Sequence, residues 1–282
     1  IPKTIDNDLP HTDNCPGFGS VAKYVAISTK EAAMDVKSMC ETSTKVFILE
    51  VMGRHAGWIA AAAGLAKENK NDAPHIILFP EITFDKKNFL KKVATTVKLN
   101  GHCVIVASEG ARYVDGTFLA DSGTRDAFGH AQLGGLAPTL AQMIKTELGY
   151  KFHWAVADYL QRAARHIASK TDVEQAYSVG EMAVEFALEG KNSVMPSIVR
   201  ENTKRYKWSI GEVSLNRVAN KEKMLPRNFI SKDGYGITKR AIEYLQPLIE
   251  GEAYPNYRKG LPSYVELKNI GVQKKLRSNF KL

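Results

Sequence analysis

Cysteine is scarce: the 282 residues hold three, Cys15, Cys40 and Cys103, with no close pair among them. An odd count without metal-ligand spacing excludes a disulfide scaffold and a zinc site, and it points to a reducing, cytoplasmic setting. Long apolar runs are missing too. The longest candidate, Gly57 to Ala66, stops at Lys67 and Glu68, short of the roughly 20 residues that span a bilayer. It reads as a buried helix, and no membrane association is expected. Ile1-Pro2-Lys3 leads into polar residues, not into the apolar core of a leader, so no signal peptide is expected. Also absent is the basic stripe that tracks a polynucleotide. The formal charge is +9, yet the basic residues are interspersed with acids everywhere except Gly271 to Leu282, which carries Lys274, Lys275, Arg277 and Lys281. That tail reads as solvated. No nucleic-acid partner is expected, and a phosphorylated small molecule explains the excess charge at least as well.

What is present is an ordinary globular composition, 44% hydrophobic and 24% charged, on a chain long enough for two lobes. Residues 21 to about 39 carry apolar side chains at helical spacing. Val46-Phe47-Ile48-Leu49-Glu50-Val51, His75 to Phe79 and Cys103 to Gly110 are short, nearly continuous apolar runs, as buried parallel strands require. Between them, Trp58 to Ala66 and Phe84 to Leu99 read as helices. Such alternation predicts an α/β fold of Rossmann-like, three-layer lobes with parallel-rich sheets, whose ligands sit beyond the C-terminal strand ends. Arg54, Glu81 and Glu109 lie at three such ends. A polar, glycine-rich span from Ala111 to about Leu136 separates this lobe from the C-terminal half of the chain. There, Ala137 to Leu148 reads as a helix, Lys151 to Leu160 as a strand, and Val173 to Leu188 as a second helix. Beyond Lys204, short apolar pieces broken by Gly and Pro read as loops and irregular returns. Trp58, Trp154 and Trp208 read as core or lobe-interface aromatics, and His102 and His130 as surface or capping groups. The Gly134-Gly135 pair reads as a loop between lobes.

Chemistry concentrates near the start. Thr4-Ile5-Asp6-Asn7-Asp8 places two carboxylates at i and i+2, which point to one side if the segment is extended. Phosphoryl transfer needs a group that orients and deprotonates the attacking hydroxyl, a divalent ion, and cations over the developing charge. Two carboxylates divide the first two tasks, Lys3 adds a point charge and Thr4 a hydroxyl. By spacing alone the same residues equally make an Asx turn.

Pro2 to Leu9 resembles the catalytic signature of the phosphofructokinase family. The resemblance implies that Asp6 is the base for the sugar hydroxyl, that Asp8 places Mg2+ and phosphate, and that Thr4 touches the transferred phosphoryl. Val51-Met52-Gly53-Arg54 is similar to the family's second motif, so that Met52, Gly53 and Arg54 are expected to contact fructose 6-phosphate. Ala107-Ser108-Glu109-Gly110 is similar to the third, with Glu109 on sugar hydroxyls. Tyr159-Leu160-Gln161-Arg162 is similar to the fourth, with Arg162 on the 6-phosphate and Tyr159 beside it. The four stand in family order over roughly residues 2 to 200.

Lys3 decides the donor within that resemblance. ATP-using members have glycine there. Pyrophosphate-using members have lysine, whose long cationic chain fills the nucleotide's space and binds pyrophosphate. The expected reaction is reversible phosphoryl transfer from pyrophosphate to O1 of fructose 6-phosphate, with an ATP-dependent kinase or a non-catalytic regulatory subunit as alternatives. The family implies a homodimer or homotetramer. Arginines that reach a neighbour's substrate in bacterial ATP enzymes correspond to Lys45, seven positions before Met52, and to His153 with Lys151 nearby. The family's Gln-Arg-Gly-Gly continues here as Arg162-Ala163-Ala164-Arg165, and Arg165 either joins the phosphate site or is solvated. Family members open with a strand and glycine-rich donor loop that do not precede Ile1, so an incomplete N-terminal lobe is expected. Residues 1–20 and 161–204 are assigned to the donor lobe, 21–160 to the sugar-phosphate lobe, and 205–282 to C-terminal returns and a basic tail.

Overall fold

Along β1 (Val46–Val51) the apolar side chains divide between two faces: Val46 and Ile48 enter one core, Leu49 and Val51 the other. A strand buried on both faces has no polar alternation, hence the continuous apolar run in the sequence. The computed structural model describes residues 1–125, 131–133, 135–271 and 273. Before β1 comes α1 (Phe18–Met39), and after it α2 (Trp58–Ala62), which tightens into a 3-10 turn over Ala63–Ala66. Then come β2 (Ile76–Leu78), α3 (Lys86–Asn100), β3 (Cys103–Ser108), a short antiparallel pair of β4 (Asp121–Arg125) and β5 (Ala131–Leu133), α4 (Leu136–Leu148) and β6 (Phe152–Val156).

The four parallel strands lie in the order β2-β3-β1-β6. In register, Val51 stands beside Ser108 and Glu50 beside Val156, so the chain leaves β1, β3 and β6 at one edge of the sheet. Helices α1 and α2 pack one face, against Leu49, Val51, Ile77 and Val106, and α3 and α4 pack the other, against Ile48, Ile76 and Ile105. Each fully buried Ile, Leu or Phe here contributes about 1.5–3 kcal/mol of transfer free energy. Glu50 is the polar exception. Its Oε2 accepts the Ala137 backbone N–H at 2.8 Å, at the N-terminus of α4, where a carboxylate complements orphan donors and the helix dipole.

The remaining helices and strands are α5 (Asp158–Ala163), α6 (Lys170–Leu188), β7 (Val194–Arg200), β8 (Trp208–Ser214), α7 (Leu215–Val218), α8 (Lys239–Leu245) and a two-residue antiparallel pair, β9 (Tyr257–Arg258) and β10 (Leu261–Pro262), besides short 3-10 turns. The short link from β7 to β8 permits only an antiparallel pair, which is what they form. Among the described residues no helix is long and apolar enough to cross a membrane.

Several expectations are corrected. The glycine-rich span does not divide two units, because β6 after it pairs with β1 before it. The strand predicted over Lys151 to Leu160 stops at Val156. Ala157 gives its N–H to Glu50 O, and Asp158 turns left-handed (φ +36°) into α5, so Tyr159 to Arg162 are helical. Trp208 to Ser214 is regular strand, not an irregular return. Trp58 is buried, but Trp154 on edge strand β6 is 45% exposed in this chain. His102 is buried against His75, not at the surface, and the capping alternative holds instead, with its Nδ1 3.0 Å from Asn100 O at the end of α3. His130, Gly134 and the basic tail of Lys274, Lys275, Arg277 and Lys281 lie outside the described residues.

Candidate active site

The sheet edge that carries Val51 and Ser108 opens on a cleft of about 400 Å³, lined by Lys3, Thr4, Asp6, Asp8, Met52, Arg54, His55, Glu109 and Arg162 together with Ile5 and Ala56. Eight of the residues singled out in the sequence meet there, although they come from four separate stretches of chain.

The segment holding the two aspartates is not extended. Ile5 and Asp6 form a turn and Asn7 is left-handed (φ +56°), a conformation asparagine tolerates better than most residues. Asn7 is fully buried, and Asp6 and Asp8 on either side of it line the cleft. Its Oδ1 accepts from Cys15 N at 3.0 Å, and its Nδ2 donates to Tyr244 Oη at 3.2 Å. The carboxylates therefore share the cleft because the residue between them is pulled inward, not because a strand alternates. The Thr4 hydroxyl accepts from Asp6 N at 3.1 Å and donates to Asp6 Oδ2 at 3.3 Å.

The second and third motifs lock into each other. Ser108 Oγ donates to Gly53 O at 2.6 Å, and Gly53 N donates to Glu109 Oε1 at 3.3 Å. Gly53 has φ +131°, which side-chain-bearing residues avoid. A Cβ on Gly110 would stand 2.0 Å from Arg54 O, so only glycine lets the end of β3 close against the arginine loop. In the fourth motif Gln161 is buried, and its Oε1 accepts from Met52 N at 3.4 Å, which ties α5 to the same turn. Arg162 reaches the cleft, while Tyr159 is 65% exposed beneath its guanidinium, 5.0 Å from ring centroid to Arg162 Cζ.

Other candidates lie elsewhere. Glu81 does not line the cleft; its Oε1 accepts from Gly57 N (2.9 Å) and Leu225 N (3.0 Å), tying the C-terminal segment to the start of α2. Lys45, Lys151 and His153 stand at the opposite end of the sheet, roughly 20 Å away by strand rise. Lys45 Nζ caps the carbonyls of Cys40 and Glu41 at the end of α1, and Lys151 Nζ donates to Ser43 Oγ at 2.8 Å. Arg165 does not line the cleft: it is half-buried and donates to Ala253 O. His55 carries no signal in the sequence, yet it lines the cleft, with Nδ1 2.6 Å from Glu222 Oε1.

Burial, and then the charge of Asp8, raise the Asp6 carboxyl above the ordinary aspartate range; the Thr4 bond, Arg162 and His55 work against the rise. Burial likewise raises Asp8 and Glu109. A carboxyl raised in the fold contributes its full share of stability below its unfolded pKa and loses it as pH rises through the folded value. Replacing Glu109 by Gln is therefore expected to raise the melting temperature at pH 7. The gain should vanish near pH 4, about the unfolded glutamate value. Thermal melts at the two pH values check this, and an equal gain at both would contradict it.

Residues 1–187 match the phosphofructokinase family model. The chain belongs to the phosphofructokinase family. Over all 282 residues it is 62% identical to a pyrophosphate–fructose 6-phosphate 1-phosphotransferase of Halomonas elongata, covering 67% of that protein. It is 61% identical over 280 residues, 99% of this chain and 67% of the relative, to the protein of the same name from Methylococcus capsulatus. The crystal structure of a pyrophosphate-dependent phosphofructokinase from Marinobacter aquaeolei superposes on the whole chain with a TM-score of 0.89 at 59% identity, with 67% of that phosphofructokinase covered. The chain thus spans about two thirds of the length of these phosphofructokinases.

Proposed function

We propose that the protein transfers a phosphoryl group reversibly from pyrophosphate to O1 of fructose 6-phosphate. The observation that carries this reading is the meeting of Lys3, Asp6, Asp8, Arg54, Glu109 and Arg162 in one cleft, in a chain more than 60% identical to relatives named for that reaction. Lys3 is the donor-side cation. Met52, Gly53, Arg54, Glu109 and Arg162 form the sugar-phosphate side, with Tyr159 supporting Arg162 from below.

Asp6 accepts the proton of the O1 hydroxyl as O1 bonds to the phosphorus. The bridging P–O bond breaks, and inorganic phosphate leaves with that electron pair. A carboxyl raised by burial and by a neighbouring charge holds a proton better than a free aspartate, as general-base work requires. The donor set also fits Mg2+. Among the described residues no cluster of three His, Cys, Asp or Glu side chains forms a metal cage, but Mg2+ usually takes only one or two carboxylates plus substrate phosphates. Asp8, next to Asp6, would hold it, and bound Mg2+ supplies charge neutralisation on the phosphate oxygens.

Lobe assignment and assembly belong to the same proposal. Residues 21–160 form the sugar-phosphate lobe and 1–20 with 161–204 the donor lobe. Lys45, Lys151 and His153, remote from the cleft of their own chain, serve a neighbouring copy in a homodimer or homotetramer. Three unpaired, buried cysteines fit a cytoplasmic location.

The test is a donor comparison with the purified protein, fructose 6-phosphate and Mg2+. Turnover with pyrophosphate is expected to exceed that with ATP by orders of magnitude; the reverse ranking would overturn the donor assignment.

A further inference from the structure

Residues beyond 187 lie outside the family match, yet one of them supports the loop that carries both aspartates. The ammonium of Lys223 donates to Asp13 O at 2.9 Å, Thr12 O at 3.1 Å and Asn7 Oδ1 at 3.3 Å. Three donors meet three acceptors, which is the full capacity of an ammonium. The Lys223 main chain is fixed as well. Its N–H donates to Asp8 O at 2.6 Å, and its carbonyl accepts from Trp58 Nε1 at 2.8 Å. The Trp58 ring lies 5.3 Å from the ammonium, within cation–π range. Among the described residues no carboxylate forms a salt bridge with Lys223; neutral oxygens and an aromatic face make its direct contacts, and the charges of Asp13 and Asp8 favour the cation from farther off.

Burying a cation among neutral acceptors is costly, and the contacts show what it secures. Two of them brace the carbonyls that come after the loop. The third holds Asn7, the residue whose inward turn leaves Asp6 and Asp8 facing the cleft, and the backbone contact fixes Asp8 itself. Tyr244 completes the arrangement: its hydroxyl accepts from Asn7 Nδ2 and donates to Asp13 O. Neither Lys223 nor Tyr244 lines the cleft.

We infer that Lys223 is a positioning residue for the reaction: it anchors Asn7 and the Thr12–Asp13 backbone so that the two aspartates are held toward the substrate. The inference rests on the phosphoryl transfer proposed above.

Lys223→Met tests it, with fructose 6-phosphate binding and turnover measured on one preparation. Calorimetric stoichiometry counts folded sites, so kcat per competent site separates positioning from partial unfolding. The expected result is fructose 6-phosphate affinity within about threefold of wild type, with turnover per site down roughly 10- to 100-fold, the cost of a misplaced reacting group. Ethylammonium added to Lys223→Ala should restore part of that loss and leave wild type unchanged. Should Lys223→Met fail to fold, Lys223→Arg and Tyr244→Phe decide: the first keeps the cation, the second removes the other tether of Asn7, and only the second should lose turnover. Turnover per site within twofold of wild type in Lys223→Met or in Tyr244→Phe overturns the inference. So does a crystal structure of Lys223→Met with Asn7 and both aspartates in place, whatever the activity. A wild-type protein inactive with pyrophosphate would overturn the reaction reading alone.

Discussion

Asp6→Asn is expected to lower turnover at least about 100-fold while fructose 6-phosphate affinity changes little, since general-base assistance typically contributes 10² to 10⁴. The substitution is nearly isosteric. An amide still accepts from the Thr4 hydroxyl, which now bonds Asp6 Oδ2 at 3.3 Å. What disappears is the capacity to take a proton. The groups assigned to the sugar phosphate, Arg54, Glu109 and Arg162, come from other stretches of chain and are held by their own contacts, Glu109 by Gly53 N and the Arg54 turn by Gly110. Their grip on the substrate should survive. Steady-state kinetics with direct binding separate the two effects, and a loss confined to affinity would place Asp6 in ground-state recognition instead.

The second large effect is expected at Lys3. This residue is exposed and lines the cleft beside Asp6 and Asp8. A charge-assisted hydrogen bond to pyrophosphate contributes about 1.5–3 kcal/mol. At 1.4 kcal/mol per decade, Lys3→Gly should therefore cost roughly 10- to 100-fold in kcat/KM for pyrophosphate. Glycine also opens space beside the carboxylates, where a nucleotide's first phosphate would pass, so weak ATP use is the accompanying expectation. Lys3→Met separates charge from bulk, because methionine fills the space without the cation. It should lose pyrophosphate activity and admit no ATP. Near-wild-type pyrophosphate kinetics in Lys3→Met would show that Lys3 does not hold the donor.

Legibility in the sequence tracked the physics of each element. The central strands announced themselves because burial on both faces demands continuous apolar residues, as in Val46–Val51 and Cys103–Ser108. The cleft was readable wherever a lining residue closely follows a strand end, as Arg54 and Glu109 do. Glu81 met the same rule and failed it, because its carboxylate turns onto backbone N–H groups of Gly57 and Leu225. Helix α5 was hidden behind an apolar strand that ends at a left-handed aspartate, which no local pattern marks. Strand β7 carries Pro196 opposite Glu212 on β8, and a proline inside a run argues against a strand unless it lies in an edge position.

The supports of the cleft were the least legible part. Lys223 meets Asn7 across 216 residues of sequence, and His55 meets Glu222 across 167. Such pairings arise from how the C-terminal segment returns over α2, and neither residue carries a local signature of that return. The i, i+2 carboxylate spacing led to two residues that do line the cleft, but through the wrong geometry, since an extended segment was expected and a buried asparagine turn is found.

The central claim is that this cleft exchanges a phosphoryl group between pyrophosphate and O1 of the sugar phosphate in both directions. Phosphorus NMR of the reverse reaction tests it most directly. The purified protein is incubated with fructose 1,6-bisphosphate, inorganic phosphate and Mg2+, with no nucleotide present. The expected result is a growing pyrophosphate resonance, matched by loss of the 1-phosphate signal while the 6-phosphate signal persists. Unchanged bisphosphate under these conditions, with ATP formed once ADP is supplied, would contradict the account.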